Sequence, residues 1–371
     1  MSYRRFGQTN LSLSVFSLGM MRCLESEDVA EQTIRRAIAL GINHLETARG
    51  YGKSEQFLGA ALQNGLTRSQ LYITTKIAPT PDAETMERAI DESLQRLKVD
   101  YLDTLAIHGL NTWEHLAWVE AENGCMQAVR QAVNDGRVRH VGFSTHGFLE
   151  VILAAIATNL FEFVNLHYSL FFQRNQAAIA LADQKDMGVF IISPADKAGL
   201  LHTPPQTLID LCAPFSPLEL NYRFLLSNSA ITTLSVGAAN PTELDLPLMD
   251  EAGFLEAEAV MTRLQSHQAQ TLKTDLCSQC YACLPCPEGI HIPEVLRLRN
   301  LTIAYDMTRF GEYRYRMFEN AGHWFPGHKA DRCNDCGDCL PRCPENLDIP
   351  TLLRDTHQRL NGKPARRLWQ D

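Results

Sequence analysis

The 371-residue sequence contains no apolar run approaching the ~20 residues of a membrane-spanning helix, so no membrane span is expected. Its N-terminal stretch "MSYRRFGQTNLSLSVFSLG" has no long uninterrupted apolar core, which argues against a secretory signal and for a cytoplasmic protein. Basic residues are scarce in runs: the longest stripe is "PARRLW" and the net charge is −9, so nucleic acid is not an expected partner. Low-complexity segments and Gly/Ser or Pro linkers are also missing. What remains is an ordinary globular composition, 45% hydrophobic and 21% charged, with length for about two domains.

Cysteine is rare through most of the chain and then abundant. Cys23, Cys125 and Cys212 stand singly in apolar or helical settings and read as buried thiols, whereas the other eight fall between Cys277 and Cys343. In a reducing compartment such crowding favours metal over disulfides. The first group is Cys277, Cys280, Cys283 and Cys286, the last followed by Pro287; the second is Cys333, Cys336, Cys339 and Cys343, followed by Pro344. Three cysteines at successive two-residue gaps let one loop ligate three irons of a cube. The fourth, before proline, serves the other cluster in two-cluster ferredoxins. Four-cysteine zinc sites are the other reading, but they usually come as separated pairs. The expectation is therefore two 4Fe–4S clusters, one held by Cys277, Cys280, Cys283 and Cys343, the other by Cys333, Cys336, Cys339 and Cys286. The first run has two residues before its last cysteine where the second has three, a departure from the two-cluster pattern that bears on which cluster Cys286 serves.

The phrase "CPEGIHIPEVL" recurs as "CPENLDIPTLL", each time leaving a cysteine loop and opening a helix at Ile-Pro. The spacer between the groups reads as a helix, a break at Gly311 and a second helix. This resembles the α-helical ferredoxin arrangement of respiratory iron–sulfur subunits.

The first 250 residues follow another pattern. Strand-like runs "VFSLGM", "INHLET", "LYITTK", "DTLAIH", "VRHVGFS", "FVNLHY", "GVFIIS" and "ITTLSVG" alternate with helical stretches carrying acidic first turns. Eight such units predict a (β/α)8 TIM barrel over residues 1–260, with a ferredoxin-like domain over 270–371. No Gly-x-Gly-x-x-Gly follows the first strand, which disfavours a doubly wound sheet. Chemistry in a barrel belongs to the C-terminal strand ends. Those positions carry Glu46, followed by Tyr51, then Lys76, His108 and Ser144. Each alone has a structural explanation, but together they supply a phenol, an ammonium, a carboxylate and an imidazole at one mouth. A cation beside the phenol is expected to lower its pKa and help it protonate a carbonyl oxygen as hydride arrives.

On the stretches "GINHLETARGYGKSEQFLGAAL", "YITTK", "DYLDTLAIH" and "RVRHVGFSTHG", the chain resembles the aldo-keto reductase superfamily, in a branch with a fused iron–sulfur domain. The resemblance implies Tyr51 as general acid, Lys76 as its partner, His108 as the imidazole that orients substrate, and Glu46 where the family has Asp. It implies NAD(P)H bound across the barrel mouth, with Gly19, Met20, Ser144, Thr145, Asn165, Ser193, Gly237 and Asn240 as contacts. Ser144 and Asn165 would hold the carboxamide, and Ile192 stands where an aromatic usually stacks. Glu243 replaces a common Arg near the 2′-phosphate position, and "SVGAANPTELDLPL" contains no compensating cation. NADPH is therefore expected to have at most a small advantage over NADH.

The leading functional expectation is hydride transfer between a nicotinamide and a small carbonyl or alcohol substrate, with the clusters serving a redox partner protein such as a ferredoxin. Hydride moves two electrons together and a 4Fe–4S centre moves one, and no flavin motif is visible to convert between them. Two alternatives stay open: an electron-transfer module on a barrel that has lost nicotinamide binding, and an iron–sulfur redox sensor.

Overall fold

The computed structural model describes residues 1–247 and 249–362; the basic stretch "PARRLW" and the end of the 270–371 domain lie outside the described residues. The chain forms two compact units. One comprises residues 1–198 and 221–249, the other residues 199–220 and those from Asp250 onward. The segment Gly199–Leu220 thus groups with the residues from Asp250 onward.

The first unit opens with a hairpin of β1 (Tyr3–Arg5) and β2 (Ser12–Ser14). Eight strands follow: β3 (Phe16–Gly19), β4 (His44–Glu46), β5 (Tyr72–Ile77), β6 (Leu102–His108), β7 (Val138–Ser144), β8 (Phe163–Leu166), β9 (Gly188–Ile191) and β10 (Ile231–Val236). They close as a barrel in the order β10-β3-β4-β5-β6-β7-β8-β9, every pair parallel, and each of the eight expected runs is one strand. Parallel strands need crossovers, supplied by α1 (Glu27–Ala39), α2 (Ser54–Gln63), α3 (Ala83–Leu97), α4 (Trp113–Glu120), α5 (Cys125–Asn134), α6 (Leu149–Ala157) and α7 (Gln176–Gln184).

Local chemistry sets the starts of these helices. Ser26 accepts a hydrogen bond from Val29 N at 3.1 Å, Asp82 from Thr85 N at 2.7 Å and Thr112 from His115 N at 3.1 Å. Phe6 packs with Phe163 and Phe190 in the barrel core. A side chain at Gly188 would collide with the Phe6 ring, so this glycine is needed for close approach. Cys23, Cys125 and Cys212 are buried thiols.

A polar thread crosses the barrel interior. His44 Nδ1 meets Ser17 Oγ at 2.7 Å and Nε2 meets Thr74 Oγ1 at 2.6 Å; Ser17 continues to Thr233, and Thr74 to Thr104. Burial, then the Lys76 charge, pushes the imidazole down to about 3. An unfolded histidine takes up a proton near pH 6.5 and this one does not. Its stabilisation is complete above pH 6.5 and is lost as pH falls toward 3, about 2 kcal/mol of it by pH 5. Thermal midpoints at pH 7 and pH 5 should therefore differ more for the native chain than for His44→Gln. Equal differences would place the proton elsewhere.

In the second unit, α8 (Gln206–Cys212), α9 (Pro217–Ser227, which runs into the first unit's segment) and the long α10 (Glu251–Leu272) precede the first cysteine loop. Then come α11 (Ile292–Tyr305), α12 (Thr308–Tyr315) and, after the second loop, α13 (Ile349–Leu360). The break in the spacer is not at Gly311. It falls at Asp306, whose left-handed φ of 56° ends α11, and Gly311 lies inside α12. A side chain there would press on Thr302 and Leu360, so the glycine serves helix packing and not a turn. Among the described residues no helix is long and apolar enough to cross a membrane.

Candidate active site and cysteine cavities

Parallel pairing carries every strand's C-terminal end to one mouth. Glu46 sits opposite Thr74, Lys76 opposite Ala106, His108 opposite Ser144, and Ser144 opposite Asn165. The loop after β4 is pinned to β5 by Thr47 N to Thr74 O (2.8 Å) and Arg49 N to Lys76 O (3.0 Å). Tyr51 N donates to Ala48 O at 3.0 Å, closing the turn that delivers the phenol.

Lys76 is 1% exposed and joins the group. Its Nζ is paired with the Glu46 carboxylate, donates to Thr47 O at 3.0 Å and lies 3.4 Å from the Tyr51 hydroxyl. Ser235 Oγ donates to the other oxygen of the Glu46 carboxylate at 3.2 Å, and Gly19 leaves the space this serine needs. The His108 ring stands edge-on to Tyr51, centroids 5.5 Å apart at 85°.

Electrostatics depart from expectation at one point. Burial raises the Tyr51 phenol and outweighs the cation beside it; burial also lowers Lys76 from its ordinary value. His108 is held down to about 3 by burial, then by Lys76 and Lys197. Near neutral pH the mouth thus presents a protonated phenol and an uncharged imidazole.

Of the expected nicotinamide contacts, Asn165 stands out. Its amide is completely buried, and neither its nitrogen nor its oxygen has a partner among the described residues. A buried amide left unpaired is costly unless a ligand completes it, and a carboxamide offers the matching donor and acceptor. Neighbouring Ser144 Oγ accepts from Gly109 N at 3.1 Å, which leaves its own O–H to donate. Other positions are occupied by structure. Thr145 Oγ1 donates to Leu110 O at 2.8 Å, the Asn240 side chain caps Thr242, and the Met20 side chain is buried. Ser193 sits in a left-handed turn after β9, with φ of 50°.

Glu243 is not without a cation. Arg22, just beyond β3, makes a double contact with its carboxylate at 2.7 and 3.1 Å and donates to Gly237 O at 2.8 Å. The missing positive charge comes from the opposite end of the barrel sequence, which is why the local stretch did not reveal it. Also unforeseen are His146, His167 and Lys197, which follow β7, β8 and β9; His146 and His167 contact each other at 2.9 Å.

The cysteines of the second unit line two cavities. Cys277, Cys280, Cys283 and Cys343 surround one, with Pro293, Leu296 and Ile349. Cys286, Cys333, Cys336 and Cys339 surround the other, with Ile292, Pro350 and Leu353. Each fourth cysteine crosses to the other triplet's cavity. The duplicated Ile-Pro opens α11 and α13, and the first turn of each walls a cavity with apolar side chains. Both loops are left-handed at equivalent positions, Gln279 with Asp335 and Tyr281 with Gly337. Cys280 and Cys336 are exposed, whereas Cys283, Cys339 and Cys343 are buried. Burial pushes the Cys283 thiol up to about 12, with Cys277 and Cys280 adding to it, so thiolates here need a cationic partner.

Comparison with known proteins agrees with both halves. The aldo/keto reductase family pattern matches residues 17–246, and a 4Fe-4S dicluster domain pattern matches residues 276–347. "Uncharacterized oxidoreductase YqkF" of Bacillus subtilis (strain 168) is 24% identical over 310 residues, 73% of this chain and 98% of that protein. Methylglyoxal reductase DkgB of Escherichia coli O157:H7 is 30% identical over 187 residues, 49% of this chain and 66% of that one. The holo form of aldo-keto reductase AKR11C1 from Bacillus halodurans superimposes with a TM-score of 0.60 at 21% identity, covering 70% of this chain and 96% of that one. With a matched barrel spanning most of its length and a dicluster domain behind it, the chain belongs to the aldo/keto reductase family of oxidoreductases.

Proposed function

We propose that the protein interconverts small carbonyl compounds and alcohols by hydride transfer with a nicotinamide nucleotide, and that two 4Fe–4S clusters couple it to, or regulate it through, a one-electron partner such as a ferredoxin. The observation that carries this reading is the convergence of Tyr51, Lys76, Glu46 and His108 at the barrel mouth. A bound nicotinamide would supply or accept the hydride. Tyr51 stays protonated at neutral pH and gives up its proton only as negative charge develops on a carbonyl oxygen; Lys76 then stabilises the phenolate. Neutral His108 directs the oxygen toward the phenol, while Asn165 and Ser144 would hold the carboxamide.

In the second unit, Cys277, Cys280, Cys283 and Cys343 would hold one cluster and Cys286, Cys333, Cys336 and Cys339 the other. The successive two-residue gaps of each triplet favour a multi-iron cube over zinc, whose four-cysteine sites usually come as separated pairs. The exposed Cys280 and Cys336 give each site an edge open to a partner. Anaerobic purification followed by titration with NADH and NADPH tests the reading as a whole. No saturable affinity for either nucleotide in iron-loaded protein would leave an electron-transfer or sensing role in its place.

Cofactor choice follows from Arg22. Both members of the Arg22–Glu243 pair are about one-third exposed, 36% and 34%, so the pair is worth less than about 1 kcal/mol and is breakable. While it holds, a 2′-phosphate meets a neutralised arginine. NADPH should then bind little better than NADH, and Glu243→Gln should tighten NADPH relative to NADH by about tenfold, less at high salt. A native preference for NADPH of about a hundredfold, roughly 3 kcal/mol, would show that the phosphate is held elsewhere.

A further inference from the structure

The two cysteine loops are alike in backbone and differ in one side chain placed against a ligand sulfur. Gln279 and Asp335 hold equivalent positions, each two residues after the first cysteine of its triplet and each left-handed, with φ of 61° and 58°. Gln279 Nε2 donates to Cys277 Sγ at 3.3 Å and to Pro293 O at 2.9 Å. A carbonyl oxygen only accepts, which fixes the amide nitrogen, and not its oxygen, on the side of the sulfur. Gln279 Oε1 is buried without a hydrogen-bond partner among the described residues, so the two bonds of the nitrogen hold the side chain in place.

Sequence and packing both support this contact. Glycine would enter a left-handed turn at lower cost, and glutamine brings a donor there instead. Asn300, 3% exposed, donates from Nδ2 to Cys277 O at 3.0 Å, so the backbone carrying this sulfur is fixed from α11. Pro293 lies in the first turn of the same helix and lines the same cavity, which ties the glutamine to the wall of the site. At the second loop a carboxylate takes the position. Asp335 cannot donate to Cys333; it is paired with Arg354 at 2.5 Å, the two side chains 60% and 56% exposed. Arg354 brings positive charge toward Cys333, but that charge is neutralised by Asp335 and screened by solvent. The rims carry further charges, Glu345 at the first cavity and Arg342 with Glu288 at the second. Gln279 differs from all of these in touching a ligand sulfur directly.

We propose that Gln279 raises the reduction potential of the cluster held by Cys277, Cys280, Cys283 and Cys343, and so helps that site hold a single electron taken from a one-electron donor. This rests on the two-cluster reading and assigns a residue that tunes one site and not the other. Reduction adds one electron to a cluster, and part of the added negative charge falls on the ligand sulfurs. A fixed N–H donor stabilises that charge more in the reduced form than in the oxidised one, which moves the potential upward. Cys277 and Gln279 are both half-buried, so water competes weakly for the bond.

The test is an electron paramagnetic resonance titration of full-length, anaerobically purified protein at controlled potential, with Cys280→Ser identifying the signal of the first site. Gln279→Met keeps the length of the side chain and removes the donor. It should shift the reduction equilibrium of the first cluster about tenfold toward the oxidised form, about 59 mV for one electron, and that of the second by less than about threefold. A second measurement reads the bond itself in the native chain. Glutamine isotopically labelled at its side-chain nitrogen should give a nitrogen coupling in the spin-echo modulation of the first signal and none in that of the second. Potentials unmoved in Gln279→Met, or moved equally at both clusters, overturn the proposal. A native first signal without the nitrogen coupling also overturns it, even where the variant loses its iron. Either result in protein carrying about eight irons leaves the two-cluster reading standing, whereas about four irons or stoichiometric zinc removes that reading and this proposal with it.

Discussion

Replacing Tyr51 by phenylalanine is expected to reduce carbonyl turnover by about two to four orders of magnitude while nicotinamide affinity changes by less than about twofold. In the proposed reaction the phenol gives its proton to a carbonyl oxygen, and the Lys76 amine nitrogen 3.4 Å away would stabilise the phenolate left behind. Phenylalanine keeps the ring that stands against His108 and loses only the oxygen. Packing should therefore survive, and the loss should appear in kcat and kcat/KM together, as for an interaction made in the transition state. Because burial raises the phenol, protonated enzyme should persist well into the alkaline range, so reduction should not fall as pH rises from 7 to 9 through loss of this acid. Lys76→Met should be as severe for turnover and worse for stability, since it strands a buried Glu46 carboxylate at a cost of about 3–5 kcal/mol. Unchanged turnover in Tyr51→Phe would remove this residue from the chemistry.

The second large effect concerns iron. Protein purified without oxygen is expected to carry about eight irons per chain, four for each group of cysteines. Since Cys343 lines the cavity of the first triplet and Cys286 that of the second, each substitution should damage the cluster of the distant loop. Cys343→Ser should disturb the spectrum of the site built by Cys277, Cys280 and Cys283, and Cys286→Ser that of the site built by Cys333, Cys336 and Cys339. The comparison is made by electron paramagnetic resonance against Cys280→Ser and Cys336→Ser, which report one triplet each. Cys343→Ser should resemble Cys280→Ser; resemblance to Cys336→Ser would mean that the fourth ligands do not cross. About four irons in the native protein, or stoichiometric zinc, would remove the two-cluster reading.

The barrel was readable from the chain because its signals are local. Alternating apolar strands, acidic helix starts and capping residues such as Ser26 and Asp82 act within a few positions of themselves. Strand ends then locate Glu46, Lys76 and His108 without knowledge of their partners, and successive two-residue gaps identify the cysteine triplets. The spacer break was misjudged for a related reason. A glycine looks like a turn from sequence, but at Gly311 the decisive fact is a neighbouring helix and a leucine 49 positions away.

What needed the tertiary structure is set by closure of the chain on itself. Burial, which depends on every surrounding strand, overrides the cation beside Tyr51 and raises its phenol. Arg22 and Glu243 meet only because β10 pairs with β3, so a search along the local sequence could not find the cation. His146, His167 and Lys197 come from three separate loops and meet only when β7, β8 and β9 stand side by side. The crossing of Cys286 and Cys343 was by contrast expected from the cysteine-proline pattern, and the packing of two pseudo-equivalent loops puts each fourth thiol beside the other triplet's cavity.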